Sequence, residues 1–210
     1  MRTLELPFEV PKHLSVSIES SVPRASGLGS SAALSVALVR ALSEGLELNT
    51  LWRSANLIER YFHGTPSGID TGLSLSAGVQ ALRPAPPDIP SAVRLQGIPF
   101  VVVVGTVTRE QSTKRLVASV RSRMESRDRR TEEAIERLGL LADRAIESLS
   151  GSGTIEDIAE SAGKAQLILA NLDLSTELLD RTLERALELG ALGAKLSGAG
   201  GGGAFFAVVE

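Results

Sequence analysis

The segment PRASGLGSSAA, residues 23–33, constrains the fold more than any other part of this sequence. Its two glycines allow the backbone to bend with the amides pointing inward, two serines follow, and a helical pattern runs from Ala32 to about Leu46. The N-terminal end of a helix offers free amides and a positive dipole end to an anion. The segment therefore predicts a phosphate-binding turn. A plain strand-to-helix turn with a serine N-cap is the alternative.

Two other glycine-rich motifs compete for the same segment. A Walker loop needs a lysine before the hydroxyl residue, and no lysine stands there. The dinucleotide-binding fingerprint formally matches Gly27, Gly29 and Ala32, but its first glycine should closely follow a strand. Pro23 ends the extended run Leu14–Ser20, so several loop residues intervene. Both motifs are disfavoured.

Composition narrows the class of protein. A chain of 210 residues suits one large domain or two small ones, and a net charge of −3 offers no electrostatic footprint for nucleic acid. The apolar run after the glycine turn is interrupted by Arg40 and Glu44 and is too short to span a membrane. The sequence has no cysteine, which excludes disulfides, thiolate metal sites and a cysteine nucleophile. Its first residues lack the apolar core of a signal peptide, so a cytoplasmic location is expected.

The first half is predicted to mix short strands with two or three helices. Phe8–Val10 and Leu14–Ser20 should be extended, and the alternation in the second run predicts a half-buried strand. Asn49 or Thr50 should cap a helix that runs to about Phe62. Glu59 lies beside the apolar face of that helix, where a lone glutamate is most often a solvated surface carboxylate. The remaining predicted elements are a loop over residues 63–70, a short helix or strand over Thr71–Ala77, a strand over Val79–Leu82 and an exposed, proline-rich connection over residues 84–90 near a domain boundary.

The second half is predicted to pack helices on a second sheet. Phe100–Val104 is a β-branched run typical of a central strand. Thr154 with Asp157 resembles a capping box for a helix ending near Leu172. The other predicted elements are helices from Ser112 to about Glu125, from about Thr131 to Leu149 and from a Ser175 cap to Gly190, and strands over Ala194–Ser197 and Ala204–Val209.

A second glycine cluster, residues 198–203, lies between the last two predicted strands. No helix can follow it, which rules out a dinucleotide fingerprint. Such a cluster flanked by buried strands indicates that the backbone approaches a ligand or another loop closely. Two glycine loops in one small protein favour a phosphate site more than either loop does alone. The two loops are therefore expected to converge in space.

Together these motifs resemble those of the GHMP kinases. Residues 23–33 match the phosphate loop P-x-x-x-G-L-G-S-S-A-A at every fixed position, and GAKLSGAGGGG, residues 193–203, resembles the C-terminal glycine loop. Glu59 followed by HGTPSGID, residues 63–70, is similar to the segment typical of mevalonate kinases. REQSTK, residues 109–114, resembles their R-S-T-K segment with two residues inserted. The four motifs occur in the family's order.

The resemblance implies ATP and Mg²⁺ as cofactors and mevalonate as the acceptor. Ser31 and Glu59 would hold the metal, and Asp70 would act as the base on the substrate hydroxyl. The residues implied to bind ATP are Pro23, Gly27, Leu28, Gly29, Ser30, Ser31, Ala32, Gly198, Ala199 and Gly200. Those implied to bind the acceptor are His63, Ser67, Gly68 and Thr113. Phosphoryl transfer depends mainly on positioning and charge neutralisation, and this set supplies oxygen ligands, amides and one carboxylate near the nucleophile.

The implied fold is α+β: a GHMP kinase fold with an incomplete N-terminal part like domain 2 of ribosomal protein S5, residues 1–95, and a ferredoxin-like C-terminal domain, residues 96–210. Only 22 residues precede Pro23, and the family's first strand, with its K-V-I-L-F-G-E-H motif, has no match; Lys12 does not fit it. Ile58 also stands where a glycine commonly precedes the magnesium glutamate. Because the first strand has no match, Leu14–Ser20 or a neighbouring strand should have an unpaired edge and an uncovered apolar face. The chain should therefore associate through its N-terminal half, be less stable than a full-length relative and have little or no kinase activity.

Three alternatives remain open at this point. The same kinase chemistry could act on a sugar or another isoprenoid precursor. The chain could be a nucleotide-binding remnant without turnover, or a fragment of a longer product. A homodimer is also possible.

Overall fold

The structure is a computed structural model that describes residues 6–22, 26–85 and 88–210. These residues form two compact units. The first unit contains residues 6–22, 29–85 and 88–94, and the second contains residues 26–28 and 95–210. The glycine turn is thus divided, since Gly27 and Leu28 belong to the second unit and Gly29 to the first.

The first unit consists of three helices and one β-hairpin. In chain order these are α1 (Ser30–Leu42), α2 (Leu48–His63), α3 (Ile69–Leu75), β1 (Gln80–Arg83) and β2 (Ser91–Arg94). The strands are antiparallel, with Gln80 opposite Arg94. The core is formed by Val36 and Val39 of α1 with Leu51 and Ala55 of α2. The proline-rich connection lies inside this hairpin, and the strand β2 that follows it is absent from the sequence prediction.

Helix boundaries in the first unit differ from those predicted. Helix α1 ends at Leu42 rather than near Leu46, because Ser43 is extended and Gly45 takes a positive φ of 72°. The N-cap of α2 is Glu47, whose side chain accepts a hydrogen bond from Thr50 N, so the predicted Asn49 or Thr50 cap is wrong. An acidic residue at this position also suits the positive end of the helix dipole.

Residues 14–20 do not form the predicted half-buried strand. In the described part of the chain they pair with no other strand, and every one of these side chains is exposed. Leu14, Val16 and Ile18 are 48%, 49% and 57% exposed. A strand becomes half-buried only where a sheet or helix covers one face. The expectation of an uncovered apolar face is confirmed.

The second unit combines four α-helices, a π-helical turn and a three-stranded sheet. Its elements are β3 (Val101–Val107), α4 (Thr113–Glu125), α5 (Arg129–Glu147), α6 (Ile155–Asn171), α7 (Glu177–Glu188), β4 (Gly193–Leu196) and β5 (Gly203–Val209). The sheet order is β3-β5-β4, and both pairings are antiparallel. Strand β3 therefore lies at an edge, and the prediction of a central strand is wrong. The side chains of Val101–Val104 are exposed.

Of the two helix caps predicted in the second unit, one is correct and one is wrong by a single residue. The capping box of α6 is present, with Thr154 and Asp157 exchanging hydrogen bonds at the helix start. Helix α7 is capped by Thr176 rather than Ser175, whose hydroxyl instead donates to Asp180 Oδ1 at 2.6 Å. Helix α5 ends at Glu147 and continues into a π-helical turn over Ser148–Ser152. Leu179 and Leu183 of α7 pack against β4 and β5 in a buried cluster.

The molecule thus mixes helices with antiparallel strands, as the α+β prediction stated. Of the helices that the structure describes, none has the length and apolarity needed to cross a membrane.

Candidate functional site

The first turn of α1 meets the last third of α2 through a serine and a glutamate. Gly29 precedes α1 in the left-handed conformation, with φ 69° and ψ 25°, which a glycine adopts at little cost. Two residues later, Ser31 Oγ donates a 2.7 Å hydrogen bond to Glu59 Oε1. Glu59 is only 2% exposed, so it is not the solvated surface carboxylate that composition alone favours. The pair places a hydroxyl and a buried carboxylate at the start of a helix.

Ser35 and His63 complete the surroundings of this carboxylate. Ser35 Oγ lies 3.1 Å from Glu59 Oε2 and 2.9 Å from Ser31 O, and Ser35 is fully buried. His63 Nε2 lies 3.1 Å from Ser31 Oγ and 3.3 Å from Glu59 Oε1. Because the one proton of Ser31 is donated to Glu59, a hydrogen bond between His63 and Ser31 requires a proton on Nε2. Both carboxylate oxygens of Glu59 therefore have polar neighbours.

The donor set suits a hard divalent cation. Ser31 and Glu59 offer oxygen ligands, which Mg²⁺ prefers, and protein sites usually supply Mg²⁺ with one or two carboxylates while phosphates and water complete the shell. Within residues 6–22, 26–85 and 88–210, no group of three or more His, Asp or Glu side chains could hold a metal unaided. The residues present fit a Mg²⁺ ion shared with a phosphorylated ligand better than a metal held by the protein alone.

Asp70 lies in a separate turn of the first unit. It is the second residue of α3, and its side chain is exposed. The preceding Gly68 takes φ 82° and ψ −5°, and its carbonyl accepts hydrogen bonds from Trp52 Nε1 at 2.8 Å and Thr71 Oγ1 at 2.9 Å. Ser67 Oγ accepts from Ile69 N at 3.4 Å. The Asp70 carboxylate is thus accessible to solvent, and the turn before it is held by hydrogen bonds to the Gly68 carbonyl.

In the second unit, residues 26 and 27 of the first glycine turn contact the second glycine loop. A Cβ at Gly27 would lie 3.3 Å from Ala204 N, and a Cβ at Gly203 would lie 3.1 Å from Ser26 O. Arg109 fills the space beside both glycines and donates from Nη1 to Thr113 Oγ1 at 2.9 Å. Within this unit the two loops converge as predicted, with residues 26 and 27 of the first lying against residues 203 and 204 of the second.

The second glycine loop is held by its own backbone. Gly201 N donates to Leu174 O at 2.9 Å, and Gly201 O accepts from Glu110 N at 2.8 Å. Gly200 and Gly202 approach the carbonyls of Leu174 and Thr108 so closely that any side chain would overlap them. Nothing stands within 4 Å of the Cβ position of Gly198, so that part of the loop is open.

Lys195 of β4 is an ammonium in an apolar setting. Burial lowers its pKa from the ordinary value, since desolvation disfavours the charged form. Its Nζ donates to Leu196 O at 2.7 Å and lies 5.3 Å from the centre of the Phe206 ring. The sequence prediction assigned no role to this residue.

The structure groups the predicted residues in three places. Ser31, Glu59 and His63 are in mutual contact, which brings a residue predicted for the acceptor beside the two predicted for the metal. Ser67, Gly68 and Asp70 lie in the turn before α3 and its first residues. The set in the second unit comprises Gly27, Leu28, Thr113, Gly198, Ala199 and Gly200. Ser30 and Ala32 lie in the first turn of α1 after Gly29, and Pro23 lies outside the described residues.

Sequence reasoning missed three residues that shape these places. Ser35 is four positions after Ser31, a spacing that puts both on one helical face, and this signal could have identified it. Trp52 and Arg109 contact residues 16 and 91 positions away. Arg109 lies in the REQSTK motif but is given no role by the sequence prediction, and no local pattern predicts the partners of either residue.

Two family models match this sequence. The model of the GHMP kinase N-terminal domain matches residues 2–78, and the model of the GHMP kinase C-terminal domain matches residues 144–210. Among curated proteins, the chain is 35% identical over 206 residues to the mevalonate kinase of Pyrococcus horikoshii, covering 93% of this chain and 59% of that relative. The chain therefore spans about three fifths of the length of this relative.

Solved structures lead to the same group of proteins. The L. major mevalonate kinase in complex with R-mevalonate superposes with a TM-score of 0.76 at 26% identity, over 86% of this chain and 56% of that one. The Methanococcus jannaschii mevalonate kinase superposes with a TM-score of 0.69 at 24% identity, over 91% of this chain and 59% of that one. At 24% identity, the similarity to the Methanococcus jannaschii structure supports the fold alone.

Proposed function

Because this chain belongs to the GHMP kinase family, we propose that it transfers the γ-phosphoryl group of ATP to the hydroxyl of mevalonate. The observation that carries the proposal is the 2.7 Å hydrogen bond between Ser31 and the buried Glu59 at the start of α1. The family and its mevalonate kinase relatives support a kinase, and the similarity to a structure with bound R-mevalonate supports the acceptor.

Phosphate binding is assigned to the glycine turns and the helix that follows. The amides of Gly29 and Ser30 and the hydroxyl of Ser30 would bind phosphate oxygens at the start of α1, where the free N–H groups of the helix favour an anion. Gly27, Leu28, Ala32, Gly198, Ala199 and Gly200 are proposed for the same class of ligand through their backbones. Open space beside Gly29 and Gly198 supports this assignment, because neither position has an atom within 4 Å of a Cβ.

Ser31 and Glu59 are proposed to hold Mg²⁺, which when bound neutralises charge on the β- and γ-phosphates. In the structure Ser31 donates to Glu59; with the cation bound, the hydroxyl would direct its oxygen lone pairs to the metal and release that hydrogen bond. Glu59 is buried, so its carboxylate is shielded from competing water. Oε1, which faces Ser31 and His63, is proposed as the oxygen that would hold the metal, while Oε2 would keep its contact with Ser35.

Asp70 is proposed as the general base. The acceptor oxygen forms a bond to the γ-phosphorus, the bond from that phosphorus to the β–γ bridging oxygen breaks, and ADP leaves. The hydroxyl proton passes to the Asp70 carboxylate. His63, Ser67, Gly68 and Thr113 are proposed to bind and orient the acceptor.

The test separates the two carboxylates. In a coupled ADP-release assay with mevalonate, Asp70→Asn should lower turnover by about 100-fold or more, the usual range for loss of a general base. Binding of Mg·ATP to the same variant, measured by calorimetry, should stay within a few-fold of the parent. Glu59→Gln should instead weaken nucleotide binding in the presence of Mg²⁺ and leave binding in EDTA unchanged.

Two outcomes would contradict the proposal. Loss of nucleotide binding in Asp70→Asn but not in Glu59→Gln would reverse the assignment of the carboxylates. ADP release that responds to a sugar or to another isoprenoid precursor, and not to mevalonate, would show that the kinase chemistry is right and the proposed acceptor wrong.

A further inference from the structure

The carbonyl oxygen of Gly68 accepts three hydrogen bonds in the turn that leads to Asp70. Trp52 Nε1 donates at 2.8 Å, Thr71 Oγ1 at 2.9 Å and Gly72 N at 3.0 Å. A carbonyl oxygen has two lone pairs, so this acceptor is saturated. Trp52 is 6% exposed and Thr71 is fully buried, so water does not compete for the oxygen. Two of the three donors come from α3 itself, and the indole is the one from another helix.

The turn also fits tightly around the indole ring and a proline. Gly72 lies against the ring so closely that a Cβ would overlap it, and a Cβ at Gly68 would lie 2.8 Å from Pro90 Cδ. Gly68 and Gly72 each stand two residues from Asp70. The backbone that carries Asp70 is therefore fixed to α2 on both sides by the same tryptophan, through a hydrogen bond before Asp70 and through ring packing after it.

We infer that Trp52 is the positioning residue of Asp70. Its indole N–H holds the Gly68 carbonyl in place by a hydrogen bond and thereby determines the position of the Asp70 carboxylate. The inference rests on the proposed function for the role of Asp70, but the hydrogen bond itself can be tested without turnover. Trp52 touches no reacting group and acts through the turn.

Because three groups donate to the Gly68 carbonyl, the hydrogen bond from Trp52 can be removed without leaving that oxygen unpaired. The positioning role of Trp52 can therefore be tested in a folded variant. If Trp52 is replaced by phenylalanine, the Gly68 carbonyl keeps the donors from Thr71 and Gly72 and is not left buried without a partner. The cost of an unsatisfied buried acceptor therefore does not arise. The smaller ring keeps an aromatic side chain in the core but lacks the indole Cζ2 and Cη2 atoms that face Gly72, so the packing on Gly72 is weakened together with the loss of the hydrogen bond. The variant should fold while the turn loses its attachment to α2.

The experiment compares Trp52→Phe with Leu51→Val, a truncation of the neighbouring core residue on the same helix that packs in the cluster with Val36 and Val39. Amide hydrogen exchange at Gly72 reports the turn directly, because Gly72 N donates to Gly68 O. In Trp52→Phe, exchange at Gly72 should rise by about tenfold over the parent while exchange in α1 stays unchanged. Leu51→Val should leave Gly72 unchanged relative to the other amides of the unit.

Kinetics supply the second readout. Trp52→Phe should lower kcat by about tenfold or more with the KM for ATP within about twofold, because misplacing a catalytic group acts on the chemical step. Thr71→Val removes another donor to the same oxygen and should change kcat in the same direction. Leu51→Val should retain the parent kcat.

The outcomes are decisive in either direction. Unchanged exchange at Gly72 in Trp52→Phe, or a kcat equal to that of the parent, would overturn the inference. So would equal effects of Trp52→Phe and Leu51→Val, which would make Trp52 an ordinary core residue. Turnover by the parent chain is expected to be low, and a complete absence of turnover would count against the proposed function; the exchange measurement would then still decide whether Trp52 fixes the turn. Trp52 is the single tryptophan of the sequence, so its emission gives a background-free check that the indole stays buried in Thr71→Val.

Discussion

Glu59 is a carboxylate with almost no access to solvent, and its neighbours must offset the loss of hydration. Ser31 and His63 face one oxygen, and Ser35 faces the other. Burying a charged group without such partners is costly. The hydroxyl of Ser35 is the contact least suited to a role in chemistry, because its residue is completely buried and also lies 2.9 Å from Ser31 O in its own helix. Its contribution should therefore be seen in stability.

Ser35→Ala should lower the free energy of unfolding by about 1–3 kcal/mol, since it removes a donor from a buried carboxylate. Ser54→Ala is a matched control: Ser54 is also buried in a helix and donates to the carbonyl of Thr50 four residues earlier, but it reaches no carboxylate. Chemical denaturation of both variants isolates the contact with Glu59. Equal destabilisation by the two substitutions would show that Ser35 contributes only its local bond.

At the scale of elements, the connection between β1 and β2 is tied to α2 by a bidentate ion pair. Arg53 Nε lies 2.9 Å from Asp88 Oδ1, and Arg53 Nη2 lies 2.8 Å from Asp88 Oδ2. The hydrogen bonds from Arg53 and then from Ile89 N lower the pKa of Asp88 to about 2. A group whose pKa is lowered by folding stabilises the fold above its unfolded pKa of about 3.9 and loses that contribution as the pH falls towards its folded pKa.

Asp88→Asn should therefore lower the melting temperature at pH 7, and the difference from the parent should shrink as the pH falls from about 5 towards 2. The effect should be small, because both side chains are 54% exposed. Thermal melts across this range measure it, with Asp173→Asn as a control whose nearest cation contact is longer, at 3.7 Å. A difference that stays constant with pH would contradict the assignment to the ionised carboxylate.

Elements with local signals were predictable, and those that depend on distant partners were not. The capping box of α6 joins residues three apart, so the sequence alone identifies it. The position of β3 in its sheet depends on a strand about 100 residues later, and its β-branched sequence predicts a central strand although it lies at an edge. For the site, the resemblance identified Ser31 and Glu59 as a pair. The contacts of Trp52, and those of Arg109 in the REQSTK motif, could not be predicted because they arise only after the chain has folded.

At the scale of the whole molecule, the exposed apolar face of residues 14–20 should govern association. Leu14, Val16 and Ile18 alternate along an extended segment that pairs with no strand among the residues described, and each is about half exposed. Contiguous apolar patches of this kind mark sites of association. Unpaired extended segments also add readily to other chains.

Sedimentation of the purified 210-residue chain should show self-association that a Leu14→Ser, Val16→Ser, Ile18→Ser variant reduces. A matched control replaces Leu140, Leu167 and Leu189 by serine, since these leucines are 64%, 66% and 72% exposed but lie on helices or beyond a helix end in the second unit. Equal loss of association in both variants would show a general surface effect. If the variant at positions 14, 16 and 18 associates as strongly as the parent, residues 14–20 are not the interface.

Arg109 has a consequence for how this family member can change during evolution. Its guanidinium occupies the volume where side chains of Gly27 and Gly203 would otherwise stand, and it also reaches Thr113. A substitution at either glycine meets this cation as well as an unfavourable positive φ, so its fitness effect depends on which residue occupies position 109. The effects of substitutions at the three positions are therefore expected to depend on one another. A smaller residue at 109 would relieve the overlap with its side chain at both glycines, while the positive φ would remain.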